Sequence, residues 1–118
     1  MLSAVFVGLV AVEHIYIMIL EMFLWDSPRG MKTFGLTKQQ AESTRSMAAN
    51  QGLYNGFLAA GLIWGLFYPD ATIGWQIQMF FVGCVVVAAL FGGATAKRSI
   101  WLTQGAPALI ALLLLLFL

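Results

Sequence analysis

Four long apolar segments constrain this chain more than any other feature of its sequence. A helix rises 1.5 Å per residue, so roughly 20 consecutive apolar residues cross a bilayer. The sequence therefore predicts an all-α fold: one polytopic membrane domain over residues 1–118, built as a bundle of four transmembrane helices. We expect the helices at about residues 2–25, 38–68, 73–95 and 99–118.

Composition supports a membrane location and excludes one class of partner. Only 9% of the residues are charged and the mean hydropathy is +0.89, whereas about a quarter of the residues in a soluble domain are charged. The net charge is +1, with no basic tail or stripe that would follow the phosphates of a nucleic acid. We therefore expect membrane lipids as partners and no nucleic acid.

The first apolar segment is expected to remain in the mature protein as a helix. It lacks the positively charged start of a secretory signal, is longer than the apolar core of one, and carries Glu13 and His14. The single cysteine, Cys84, lies within an apolar run. We expect it to pack as a small hydrophobic residue, because it has no intrachain partner and no metal-ligand spacing.

The loops predict the orientation of the helices. The connection between the second and third predicted helices has Asp70 as its only charged residue. The basic residues all lie between the first and second or between the third and fourth apolar segments: Arg29, Lys32, Lys38, Arg45, Lys97 and Arg98. Because basic loops stay in the cytoplasm, the N-terminus and the C-terminus are both expected outside.

Local signals indicate where the helices begin and end. Trp25 suits the headgroup level, and the stretch DSPRG after it breaks the first helix. Thr37 followed three residues later by Gln40 is typical of a capping box that opens the second helix. That helix is longer than the hydrocarbon core of about 30 Å, so we expect it to bend or to project into the cytoplasm. Pro107 predicts a kink in the last helix.

Three ionisable side chains lie inside the first apolar segment. A carboxylate at the bilayer centre costs about 2.5 to 3.5 kcal/mol even on an insertion scale, so Glu13, His14 and Glu21 require partners or a task. On a helix, His14 and Glu21 are seven residues apart and share a face, whereas Glu13 points elsewhere. Carboxyl and imidazole groups are those that proteins use for proton transfer.

The second helix carries a polar stripe that we expect to face the first helix. Gln51, Tyr54 and Asn55 lie three and four residues apart, at the same depth as Glu21. Gln104 on the last helix falls in the same cytoplasmic half. A second stripe of small residues, Gly52, Gly56 and Ala60, is expected to pack against the small residues of the third helix, Ala88, Gly92 and Ala96.

Structural explanations compete with functional ones for each of these residues. Interhelical amides are common as hydrogen-bonding groups that hold membrane helices together. For Glu21 the alternative is an ion pair with Arg45 or Lys38, or a side chain that extends toward the lipid headgroups. For Glu13 it is a protonated carboxyl bonded near His14 or to a backbone carbonyl. A metal site is disfavoured, because the chain has one histidine and its carboxyls diverge. We expect no cofactor.

Two motifs identify a family. The stretches EHIYIMILEMFLW and NQGLYNGFLAAGL, with FGLT between them, resemble the signature of a bacterial family of small integral-membrane proteins known as domain of unknown function 1304. The resemblance covers essentially the whole chain and implies a four-helix protein of the bacterial inner membrane. It brings no activity and no catalytic residues. The size and the glutamate midway along the first segment are also similar to those of the small multidrug resistance transporters, whose loops differ.

We expect a site formed by Glu13, His14, Glu21, Gln51, Tyr54, Asn55 and Gln104. Its first predicted function is binding or transport of a small molecule with proton coupling, in a homo-oligomer, because four helices are few for alternating access. The alternatives are an acid–base enzyme acting on a lipid or isoprenoid-like substrate, with Glu21 or Glu13 and His14 carrying protons, and a structural or assembly subunit.

Overall fold

The structure, a computed structural model that describes residues 1–118, is all-helical, as the sequence predicts. Two of its helices, Leu2–Phe23 and Ala71–Thr95, are long and apolar enough to cross a membrane. One π-helical turn, Trp101–Gly105, precedes the last helix. In chain order the helices are α1 (Leu2–Phe23), α2 (Pro28–Phe34), α3 (Lys38–Phe67), α4 (Ala71–Thr95) and α5 (Ala106–Phe117).

The capping box at the start of α3 is confirmed. The backbone N–H of Thr37 donates to Gln40 Oε1 at 2.9 Å, and the backbone N–H of Gln40 donates to Thr37 Oγ1 at 3.1 Å. Two of the N–H groups that a helix start leaves without partners are thereby bonded. The helix then runs for 30 residues without a break.

The start of α4 lies two residues before the predicted one. Asp70 is its N-cap, and Oδ1 of that side chain accepts from the backbone N–H groups of Thr72 at 2.9 Å and Ile73 at 3.0 Å. An aspartate directly before an apolar run is a strong start signal. The sequence interpretation read Asp70 only as a loop residue and so began the helix too late.

Helix α2 is an element that the sequence interpretation missed. It occupies part of the polar connection that was read as irregular after Trp25. Ser27 caps its first turn, with Oγ accepting from the Gly30 N–H at 3.1 Å, and Pro28 takes the first helical position. Gly35 ends the helix in the left-handed conformation, with φ of 65°. Serine and proline before a helix and glycine after it are recognised signals, so the element was predictable.

The sequence predicts a kink at Pro107, and a π-helical turn ends two residues before this proline, at Gly105. Proline has no N–H to donate and its ring crowds the carbonyl of the preceding turn. A π turn bonds residues five apart instead of four, which widens the helix there. The last helix therefore continues past the proline rather than ending at it.

The chain forms two compact units. The first comprises Met1–Glu13 and Leu58–Leu118. Segments of all four long helices share its core. That core consists of Val7, Val10, Ala11, Leu62, Val82, Val85, Ala108, Ala111 and Leu115. The second unit is His14–Phe57, which contains the end of α1, all of α2 and the first two thirds of α3.

Glycines let α3 and α4 approach closely within the first unit. A Cβ atom added to Gly74 would lie 2.7 Å from the backbone oxygen of Gly65, and one added to Gly61 would strike the Phe81 ring. The side chain of Gln78 donates to the Gly65 carbonyl at 3.1 Å. The prediction that α3 meets α4 through Gly52 and Gly56 was wrong: those glycines face α1, as described below.

The close contact at Gly74 predicts a stability difference between two glycines of the same helix. Gly74→Ala places a methyl group against a backbone oxygen, which cannot move aside as a side chain can. We therefore expect this substitution to lower the free energy of unfolding by about 1 to 3 kcal/mol. Gly83→Ala, the matched control, has nothing within 4 Å of its added Cβ. It should gain up to about 1 kcal/mol of helix propensity.

Thermal unfolding in detergent, followed by far-ultraviolet circular dichroism, distinguishes the two variants. Equal melting temperatures for Gly74→Ala and Gly83→Ala would contradict the packing of α3 on α4.

Candidate functional site

The carboxyl of Glu21 is the centre of a polar cluster in the second unit. Gln51 Nε2 donates to Glu21 Oε2 at 2.7 Å, and Asn55 Nδ2 donates to Glu21 Oε1 at 2.5 Å. Glu21 is 1% exposed. Each oxygen of the buried carboxyl thus accepts from a different amide, and both amides lie on one face of α3 because they are four residues apart.

Glycines on α3 make this approach of α1 possible. A Cβ atom added to Gly52 would lie 2.7 Å from Met22 Cγ and 3.0 Å from Glu21 Cβ, and one added to Gly56 would lie 2.7 Å from Met18 Sδ. Gly52 and Gly56, together with the amides of Gln51 and Asn55, therefore all meet α1. Close approach of the two backbones shortens the distance that the amide side chains have to reach.

The alternative of an ion pair for Glu21 is not what the structure shows. Arg45 pairs with Asp26 instead, at 3.5 Å, and these side chains are 70% and 40% exposed. Trp25 lies beside that pair in sequence, and its Nε1 donates to Thr44 Oγ1 at 3.0 Å. The connection after α1 is thereby attached to α3 by polar contacts, none of which uses the Glu21 carboxyl.

The other predicted residues of the second unit occupy different environments. His14 is buried, with 2% of its surface exposed. It shares a helix face with Glu21, as their spacing requires. Tyr54, in contrast, is 58% exposed, and its ring packs edge-on against Phe57 with centroids 6.0 Å apart. The structure thus brings Glu21, Gln51 and Asn55 together and turns Tyr54 away from them.

Glu13 belongs to the first unit and has a separate setting. Its Oε1 atom is buried and has no hydrogen-bond partner. The residue borders a groove of about 360 Å³ whose other walls are apolar side chains from α1 and from the last helix with its π turn: Phe6, Leu9, Leu102, Ala106, Pro107 and Ile110. A carboxyl oxygen without a donor in apolar surroundings is costly, so this atom is the exception that requires an explanation.

Gln104 lies in the π turn of the first unit and is half-buried. The groove residues of the last helix were not singled out from the sequence. The sequence predicts only a kink at Pro107, although a π-helical turn is also a common signal of a functional site. No group of three or more histidine, cysteine, aspartate or glutamate side chains is arranged to hold a metal ion.

Sequence comparisons identify the family of the chain. The family described as "Protein of unknown function (DUF1304)" matches residues 8–116. The chain belongs to this family. It is also similar to the uncharacterized protein YpaA of Lactococcus lactis subsp. lactis (strain IL1403), with 36% identity over 107 residues that cover 89% of this chain and 88% of the relative. No solved structure matches the chain.

The resemblance stated from the motifs of α1 and α3 is therefore confirmed. The part of the chain that matches DUF1304 contains both carboxyls, Glu13 and Glu21, and both amides that bond to Glu21. Membership brings no activity with it, because the function of the family is unknown.

The bonds to Glu21 predict an energetic coupling between α1 and α3. In a double-mutant cycle of Glu21→Ala and Asn55→Ala, we expect a coupling of about 1 kcal/mol, because each single change leaves a polar group without its partner. Asn50→Ala is the control, since Asn50 is exposed on the same helix and does not bond to Glu21.

Equilibrium unfolding in mixed micelles measures all the variants of this cycle. A coupling with Asn50 as large as that with Asn55 would contradict a specific hydrogen bond.

Proposed function

We propose that the chain is an integral protein of the bacterial inner membrane with four spans and with both termini outside. The support is that α1 exposes large apolar side chains and buries two ionisable ones, the reverse of a helix in a water-soluble protein. The exposed large apolar residues of α1 recur every three or four positions along one stripe: Leu2, Val5, Leu9, Val12, Tyr16, Ile19 and Phe23. His14 and Glu21 of the same helix are buried. A helix in water would bury the first set and expose the second.

The other two long helices complete the proposed spans. Helix α3 has 30 residues, more than a bilayer requires, and its amino-terminal half carries the basic residues and the ion pair of Arg45. The apolar stretch Trp101–Phe117 is shorter, and an exposed Trp101 at its start suits the headgroup level. All basic residues then lie on one side, the cytoplasmic one.

This topology predicts the sidedness of two loops. In a Cys84→Ala background, Asp70→Cys should react with a membrane-impermeant maleimide added to intact spheroplasts. Lys97→Cys should react only after the membrane is opened, because the positive-inside bias holds its loop in the cytoplasm. Labelling of Lys97→Cys in sealed spheroplasts, or protection of Asp70→Cys, would contradict the four-span arrangement.

We propose that Glu13 anchors a small amphipathic ligand in the apolar groove of the first unit. The single observation that carries this proposal is the buried Oε1 atom without a partner at the edge of a groove of about 360 Å³. Pockets of roughly 300 Å³ and more, mainly apolar with a few polar groups, are typical for small ligands. The carboxyl requires a donor, which a ligand with an amine or ammonium group supplies.

The chemistry that follows is an exchange of a proton and a cation at one carboxyl. An ammonium group bonds to the ionised carboxyl while its apolar body contacts Leu9, Leu102 and Ile110. A proton on the same carboxyl removes that attraction, so proton and ligand compete. Coupled to access from both sides of the membrane, this competition is proton-driven transport, and with so few helices it calls for more than one copy of the chain.

Glu21 has a different task in this proposal. Its two oxygens already accept from Gln51 and Asn55, so the cluster holds α1 to α3 and does not contact the ligand. This assigns the structural alternative to Glu21 and the binding role to Glu13.

The test uses the full chain in nanodiscs, a fluorescent alkylammonium probe and an uncharged alcohol of the same length. Glu13→Gln should weaken binding of the ammonium probe by about 10- to 100-fold, because a charged hydrogen bond contributes roughly 1.5 to 3 kcal/mol. The alcohol should bind both proteins alike. Binding to the unsubstituted chain should weaken as the pH falls, whereas the residual binding to Glu13→Gln should not.

Glu42→Gln is the matched control, because it removes the same charge from an exposed position of α3. Equal loss of binding in both variants, or flux through liposomes that is indifferent to Glu13→Gln, would refute the proposed role of Glu13.

A further inference from the structure

Helix α2 is held against the end of α1. A Cβ atom added to its buried Gly30 would strike the carbonyl oxygen of Leu24 and lie 2.7 Å from that of Trp25. At the other end of α2, the Phe34 ring packs on the Trp25 ring with centroids 4.7 Å apart. Because the contact at Gly30 has no room for a side chain, α2 packs closely on Leu24 and Trp25, the two residues that follow α1.

The outer face of α2 borders a second groove, of about 560 Å³, lined by Tyr16, Pro28, Arg29, Lys32 and Thr33. The guanidinium carbon of Arg29 lies 5.9 Å from the centre of the Tyr16 ring, within reach of a cation–π contact. This contact directs a cation of α2 over an exposed aromatic residue of α1. The groove is therefore basic on one side and aromatic on the other.

The two cations of this groove have no carboxylate partner. Asp26, the acidic residue of the same connection, pairs with Arg45. Neither Arg29 nor Lys32 takes part in an ion pair. The hydroxyl of Thr33 donates to the Arg29 carbonyl at 2.7 Å and so is already used. Two positive charges without a carboxylate partner thus face a groove whose other polar side chains are uncharged.

The groove continues into an apolar surface. This continuation favours a lipid phosphate over a free phosphate as the anion that the two cations would bind. Tyr16 belongs to the exposed stripe of α1, together with Ile19 and Phe23. A free phosphate would use only the cations. A phospholipid would use both parts of this surface, with its phosphate at Arg29 and Lys32 and its acyl chains along the stripe.

We infer that this groove, with Arg29 and Lys32 of α2 above Tyr16 of α1, binds the phosphate headgroup of an anionic membrane lipid. The inference depends on the proposed membrane location and on a cytoplasmic first loop, where anionic lipids attract basic side chains. It does not involve Glu13 or its ligand. Bound lipid would attach α2 to the bilayer surface at the cytoplasmic end of α1.

Native mass spectrometry of the full chain, extracted in mild detergent and titrated with phosphatidylglycerol or phosphatidylcholine, tests this inference. We expect retention of phosphatidylglycerol in preference to phosphatidylcholine. Arg29→Gln and Lys32→Gln should each weaken that retention by about 5-fold, since each basic residue near a membrane surface contributes roughly that factor. Tyr16→Leu should weaken it too, whereas Tyr16→Phe keeps the ring and should not.

The matched control is the pair Lys97→Gln and Arg98→Gln, which removes the same charges from the other basic loop and should leave retention unchanged. Retention that survives Arg29→Gln and Lys32→Gln, or that falls equally in the control pair, would overturn the inference. Displacement of the lipid by equimolar inorganic phosphate would also overturn it, because the site would then be one for free phosphate. Loss of probe binding in Glu13→Gln with lipid retention intact separates this inference from the proposed ligand site.

Discussion

A buried carboxyl requires hydrogen-bond donors, and in the segment His14–Phe57 all the donors to Glu21 come from α3. This requirement links features that are far apart in the sequence. Gln51 and Asn55 have to share a face, and the glycine at position 52 has to let that face approach α1. Because the Glu21 carboxyl is buried, water cannot replace either amide as its donor, so the pairing selects one register of α3 against α1.

The two carboxyls of α1 illustrate how environment decides role. Glu21 and Glu13 lie on one helix, in segments of similar apolarity, yet one has two amide partners and the other has a buried oxygen with none. A satisfied buried group stabilises a unique packing, whereas an unsatisfied one carries a free-energy penalty that a ligand can remove. The difference is the physical basis for assigning binding to Glu13 and helix association to Glu21.

Local signals account for the parts of the fold that were predicted well. The all-helical fold and the start of α3 follow from apolar runs and from the capping pair Thr37 and Gln40, which act within one turn of helix. The signals around α2 and at Asp70 are equally local, so the sequence also contains the information that places the starts of α2 and α4. The partner helix predicted for Gly52 was wrong for a different reason. A stripe of small residues permits close approach of a second helix, but it does not specify which helix that is.

The sequence by itself determined the helices, their order, the family and the residues from which a site could be built, because hydropathy, caps and motifs are properties of neighbouring positions. It also predicted that Glu21 and the α3 amides lie level with each other, since helical rise is constant, and their hydrogen bonds agree with this. Only the tertiary structure decided that both amides bond to that one carboxyl, that Tyr54 faces outward and that a Glu13 oxygen has no donor. These outcomes depend on how helices distant in sequence pack, and a periodic pattern shows which face is polar but not what that face meets.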